Sequence, residues 1–158
     1  MKPRISPLDE SAAREIFRWR YQPPYDIYNL EDSEESLFYA LEPENNFYKI
    51  QDDLGKLVGF CSFGKDGQVP GGNYTDPALD IGMGIRPDLT GKGRGADFVA
   101  AVLDFARKEF APRQFRVTIA TFNQRARRVW EKNGFYPIQK FISSASDREF
   151  VVMIKPSL

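Results

Sequence analysis

Histidine is missing from this chain, cysteine occurs once, and neither sign of charge prevails. With no imidazole and only Cys61, metal sites built on His or on several Cys are not expected. A single cysteine cannot form an intrachain disulfide, and it suits a reducing compartment. The 22 basic residues are matched by 22 acidic ones, so the cationic surplus of a nucleic-acid binder is absent. No apolar run approaches the roughly 20 residues that cross a bilayer. Met1-Lys2-Pro3-Arg4 leads straight into polar sequence without the apolar core of a secretory signal, so the expected location is the cytoplasm. Repeats, low-complexity tracts and interdomain linkers are lacking too. What remains is 158 residues, 42% hydrophobic and 14% aromatic, enough for one folded domain with a sizeable core.

Local signals order that domain. Asp9 or Ser11 can cap a first helix carrying Ala12, Ile16, Phe17 and Trp19. It must stop before Gln22-Pro23-Pro24, because a residue preceding proline leaves the helical region. Ser33 opens a second helix through Leu37, Phe38 and Leu41, ended by Pro43. Residues 47–51 and 56–63 read as antiparallel strands about a turn. Residues 64–77, with four glycines and two prolines, read as a loop able to cover a site. A strand is expected at 78–85. Phe115, Val117 and Ile119 then alternate with Arg116, Thr118 and Ala120 as another strand. A short helix at 123–133 stops at Gly134, and strands at 135–143 and 148–155 close the domain. Antiparallel hairpins combined with one strand–helix–strand unit predict a mixed α/β sheet.

The stretch between the strand at 78–85 and the following helix is the most informative. Thr90-Gly91-Lys92-Gly93-Arg94-Gly95-Ala96 sets three glycines at alternate positions around two cations. Phe98, Val99, Val102, Leu103 and Ala106 then recur at helical spacing. Glycine permits a positive φ and close approach to the backbone. The helix start offers free N–H groups and the positive end of its dipole, a site for phosphate or pyrophosphate. The spacing matches neither the Walker loop nor the G-x-G-x-x-G dinucleotide fingerprint.

Thr90-x-x-Gly93-x-Gly95 resembles the (Arg/Gln)-x-x-Gly-x-(Gly/Ala) signature of the GNAT superfamily, the acyl-CoA-dependent N-acyltransferases. The segment from Asn123 through Ala126, Trp130 and Lys132 to Gly134-Phe135 is similar to a second motif of that family. The resemblance implies a mostly antiparallel twisted sheet, splayed at its centre and flanked by about four helices. It also implies transfer of an acetyl group from acetyl-CoA to a small-molecule or peptide amine. Many members pair as homodimers. In such a fold the main chain of Thr90, Gly91, Lys92, Gly93, Arg94, Gly95 and Ala96 holds the CoA pyrophosphate. Lys92 and Arg94 add charge there or at the 3′-phosphate. Met83 and Ile85 pair with the pantetheine amides as an added strand would. Asn123 caps its helix and contacts the same arm.

Two positions depart from the family pattern. Thr90 replaces Arg or Gln and keeps one hydroxyl donor. Trp130 stands on the cofactor wall where many members place a tyrosine acid, and an indole cannot supply that proton. Tyr136 is the substitute candidate. Asp80, five residues before Ile85 and assigned to the same face by strand alternation, is the leading general base. Cys61, flanked by Phe60 and Phe63, reads as buried and inert more than as an acyl carrier. Arg20, Tyr25, Tyr28 and Phe38, in the N-terminal half, are candidates to line the acceptor pocket. The rival reading is a non-catalytic acyl-CoA-binding or sensing domain.

Overall fold

The computed structural model describes residues 2–157. Seven strands form one sheet: β1 (Arg4–Pro7), β2 (Phe47–Gln51), β3 (Leu57–Phe63), β4 (Leu79–Ile85), β5 (Gln114–Ala120), β6 (Tyr136–Ile142) and β7 (Glu149–Pro156). Their order is β1-β2-β3-β4-β5-β7-β6. Every pairing is antiparallel except β4 with β5, which is parallel because α3 (Gly95–Phe110) crosses between them. α1 (Glu10–Phe17), α2 (Glu34–Leu41) and α4 (Gln124–Lys132) complete the helices, giving the mixed, mostly antiparallel α/β fold expected.

Each face of the sheet is covered, and two apolar clusters follow. Phe98, Val99, Val102, Leu103 and Ala106 form the buried stripe of α3 and pack on Ile81, Phe115, Val117 and Ile119. On the other face Ala13, Ile16 and Phe17 of α1 meet Leu37 and Ala40 of α2, with Phe60 of β3 against them. Strand alternation divides β4 between these faces. Leu79, Ile81, Met83 and Ile85 belong to the α3 cluster, while Asp80, Gly82 and Gly84 point to the α1/α2 side. A Cβ on Gly84 would meet the Phe60 ring at 2.3 Å, so glycine is what lets β3 and β4 pack there.

The helix signals work as chemistry predicts. Asp9 accepts from Ala12 N–H at 2.8 Å and caps α1, which ends at Phe17; Trp19 lies beyond it but is still buried. Ser33 accepts from Ser36 N–H and caps α2. β1 was not expected. It is short, bounded by prolines and pairs only with β2, an edge position where proline costs no ladder bond.

The Lys49 ammonium beside Asp9, then the Ala12 amide, hold the Asp9 carboxyl below its usual range. A depressed folded-state pKa contributes stability above the ordinary carboxylate value and loses it as pH falls through the folded one. Asp9→Ala should therefore cost about 1 kcal/mol in urea unfolding at pH 7. The gap to wild type should shrink once the pH drops below about 4.

Candidate functional site

β4 and β5 pair only at Leu79↔Phe115 and Asp80↔Arg116, and then diverge. Gly64 N–H donates to Asp80 C=O and Arg86 N–H to Val58 C=O, so even-numbered residues of β4 turn their main-chain groups to β3. The main-chain groups of Ile81, Met83 and Ile85 therefore face the gap. An open sheet edge is a template for an extended partner.

Asp80 and Arg116 close the narrow end. Arg116 Nε reaches Asp80 Oδ1 at 2.6 Å and Nη2 reaches Oδ2 at 2.8 Å. Gln68 Nε2 donates to the same carboxylate at 2.9 Å, Arg116 Nη1 donates to Asp76 C=O, and the guanidinium lies over the Tyr74 ring. Both charges are buried, at 3% exposure each, and Asp80 holds the guanidinium more firmly protonated than usual. This corrects the expected general base: Asp80 is a clamp with its oxygens committed. The face assignment is corrected too, since a separation of five puts Asp80 and Ile85 on opposite sides of a strand.

At the wide end stands the glycine loop. Gly91 and Gly93 have φ of 72° and 76°, and Arg94 follows in the right-handed region. Such alternation turns successive N–H groups inward to form an anion-binding nest. Among the described residues, the N–H groups of Gly91, Lys92, Gly93, Gly95 and Ala96 have no hydrogen-bond partner. Nothing lies within 4 Å of the Cβ that Gly93 lacks. At Gly95 a Cβ would press on Val129 at 3.0 Å, so this glycine lets α3 and α4 converge. Lys92 is exposed, and the Arg94 guanidinium lies over the Phe98 ring. Thr90 spends its hydroxyl proton on Pro87 C=O at 2.7 Å, which corrects the expectation of a free donor there.

A segment absent from the sequence motifs bridges the mouth. Tyr21 OH donates to Ile85 C=O at 2.7 Å, on the β4 lip. Burial pushes that phenol up to about 12, so it stays a donor. Tyr25 and Tyr28 pack on Phe122, on the β5 lip, with ring centres 5.6 and 6.4 Å away. Asn123 caps α4 through Ala126 N–H at 3.1 Å and donates its amide to Tyr28 OH. Arg125 lies 4.0 Å over the Tyr25 ring, and its guanidinium would touch a Cβ on Gly91. Between strap and loop lies a cavity of about 390 Å³ whose walls include Tyr21, Tyr25, Thr90 and Arg125.

Other expected site residues are spread out. Arg20 donates to the carbonyls of Phe17, Trp19 and Leu30, so it closes the turn after α1. Phe38 is 73% exposed on α2, away from the strap. Trp130 is in the core, edge-on to Phe135 at 4.9 Å. Tyr136, the candidate acid, lies on β6. It pairs with Ile154, which pairs with Arg116, so it stands two strands outside β5 and level with the closed end. Burial raises the Cys61 thiol well above its ordinary value, so it is not a ready thiolate. Among the described residues no group of three or more His, Cys, Asp or Glu is placed to hold a metal ion. Among the described residues no helix is long and apolar enough to cross a membrane.

The family profile of the Acetyltransferase (GNAT) domain matches residues 4–136. The chain belongs to the GNAT acetyltransferase family. Curated protein sequences yield no match. Among solved structures, a spermidine N-acetyltransferase SpeG chimera from Vibrio cholerae and hSSAT superposes with a TM-score of 0.78 at 16% identity, covering 99% of this chain and 96% of that one. AAC(6')-Ib in complex with paromomycin and acetyl-CoA gives 0.77 at 14% identity, covering 99% and 94%. At these identities the likeness establishes the shared fold.

The paired charges generate a prediction. Asp80→Asn leaves Arg116 buried without its counter-ion and should cost about 3–5 kcal/mol in urea unfolding. Replacing both, as Asp80→Asn with Arg116→Met, should cost clearly less than the sum of the single changes in the same assay.

Proposed function

We propose that this protein transfers an acetyl group from acetyl-CoA to a primary amine by direct attack. The observation that carries the proposal is the row of unpartnered main-chain N–H groups on Gly91, Lys92, Gly93, Gly95 and Ala96, set at the wide end of the sheet split. In this reading the nest and the α3 dipole take the pyrophosphate. Arg125, between Gly91 and Tyr25, adds a cation beside that nest. Met83 offers both main-chain groups to the pantetheine arm and Ile85 its N–H, since the Ile85 carbonyl is held by Tyr21. The thioester then lies between the diverging strands. An amine reaches it from the α1/α2 face, where Gly82 and Gly84 carry no side chain.

Direct transfer is favoured over an acyl-enzyme because Cys61 is buried and held as a thiol. One observation favours the non-catalytic alternative: Asp80, Trp130 and Tyr136 are all placed where they cannot exchange protons with an amine in the split. Turnover separates the two readings, because an enzyme releases free CoA only when an amine is present.

Acetyl-CoA at 100 times its Kd should stabilise the protein by about 2.7 kcal/mol, read as a rise in Tm of about 5–11 °C, whereas ATP and NAD should give none. Gly93→Val should abolish that rise, because it places a branched side chain at φ 76° inside the nest. No shift with millimolar acetyl-CoA would overturn the proposal. Trp130→Tyr, a change within the core against Phe135, should leave acetyl-CoA affinity within about threefold by titration calorimetry.

A further inference from the structure

With Asp80 clamped, the split requires another carboxylate if it is to receive an ammonium. Asp66 lies in the short 3-10 turn Lys65–Gly67 that follows β3. Its Oδ2 accepts from Ser62 Oγ at 2.9 Å and its Oδ1 from Tyr39 OH at 3.3 Å. Both partners are neutral. Among the described residues Asp66 enters no ion pair, whereas Asp80 is matched by Arg116, whose positive charge Asp76 also favours. Ser62 is fully buried and fixes one side of the carboxylate, while Asp66 itself is exposed.

Its position follows from Gly82. A Cβ there would lie 2.5 Å from Ser62 Oγ and 3.3 Å from Asp66 Oδ2. Asp66 therefore sits over β4 two residues past the last β4–β5 pair, where the strands have begun to part, on the face opposite α3. The Tyr39 ring, about half exposed and packed on Phe47 at 5.8 Å, stands beside it. A fixed carboxylate beside an aromatic face is a receptor for an organic cation.

We propose that Asp66 draws in the ammonium of a cationic primary amine and takes its proton before attack, an inference that rests on the acetyltransferase reading above. The step balances. The carboxylate removes one proton from R–NH3+, directly or through water, leaving R–NH2 and a carboxylic acid. The nitrogen lone pair forms the C–N bond at the thioester carbonyl, and the C–S bond breaks with its electron pair on sulfur. The surplus N–H proton passes through solvent to the thiolate, giving CoA thiol. Asp66 returns its proton to bulk water.

The test uses the full chain with acetyl-CoA and two polycationic probes, spermidine and ribostamycin. Asp66→Asn should raise the KM of the accepted probe about tenfold. It should lower kcat/KM about 100-fold. The KM for acetyl-CoA and the Tm rise it gives should not change, and Asp66→Glu should regain part of the loss. An Asp66→Asn protein within about threefold of wild type in amine kcat/KM would overturn the inference. So would a wild type that binds acetyl-CoA but neither binds nor acetylates either cation. Should Asp66→Asn fail to fold, Asp66→Glu replaces it, and an amine KM unmoved by shifting the carboxylate one methylene would overturn it equally. Failure of the wild type to bind acetyl-CoA is a different result, and refutes the acetyltransferase reading itself.

Discussion

The ion pair between Asp80 and Arg116 sets the geometry on which the rest of the site depends. It ties β4 to β5 at their N-terminal ends, immediately before the two strands part. Burying two charges is expensive, and the cost is offset only by good geometry and by satisfying every remaining polar atom. Both conditions hold: the contact is bidentate, Gln68 supplies a further donor, and Asp76 C=O takes another guanidinium N–H. Sliding β5 by one residue would break all of these at once. The pair thus fixes the register of a short parallel ladder that has little else to define it.

Beyond that apex the two lips are held at a set distance by the N-terminal strap. Tyr21 grips the β4 lip by one charge-neutral hydrogen bond, and Tyr25 and Tyr28 grip the β5 lip through Phe122 and Asn123. The strap has few buried apolar residues of its own, since none of Tyr25–Tyr28 is buried. Local stability follows buried contact, so this segment should be the part of the site that opens at least cost. The clamp is rigid and the strap is yielding, which lets one end of the split stay fixed while the other adapts.

Much of this was legible in the sequence. Helix caps, the alternation in β5 and the stripe on α3 are local codes, and Asp9, Ser33 and Asn123 cap as their side chains dictate. The glycine loop was legible because a positive φ and a helix start are both written in adjacent residues. What failed was non-local. Asp80 looks like a base until Arg116, 36 positions away, is set beside it. The signal was present: a charge in the middle of an otherwise buried strand, near the start of the parallel neighbour that carries an acid. Tyr136 follows a glycine stop as an acid substitute could, but strand order sends it to the far edge. Tyr21 and Asp66 had no signal, because each earns its place through a contact made by the fold alone.

The contrast between the two halves of the site explains why main-chain features of a shared fold tolerate 14–16% identity better than side-chain features do. A nest of N–H groups needs glycine conformations and a helix start, and tolerates almost any side chains between them. Thr90 and Trp130 can therefore depart from the family pattern without removing a single main-chain donor from the nest. Recognition of an amine, as proposed for Asp66 and Tyr39, is the opposite case: it would depend on the charge and placement of side chains, and one substitution could reverse it. The side chains on the α1/α2 face of β4 must therefore be read in this chain itself.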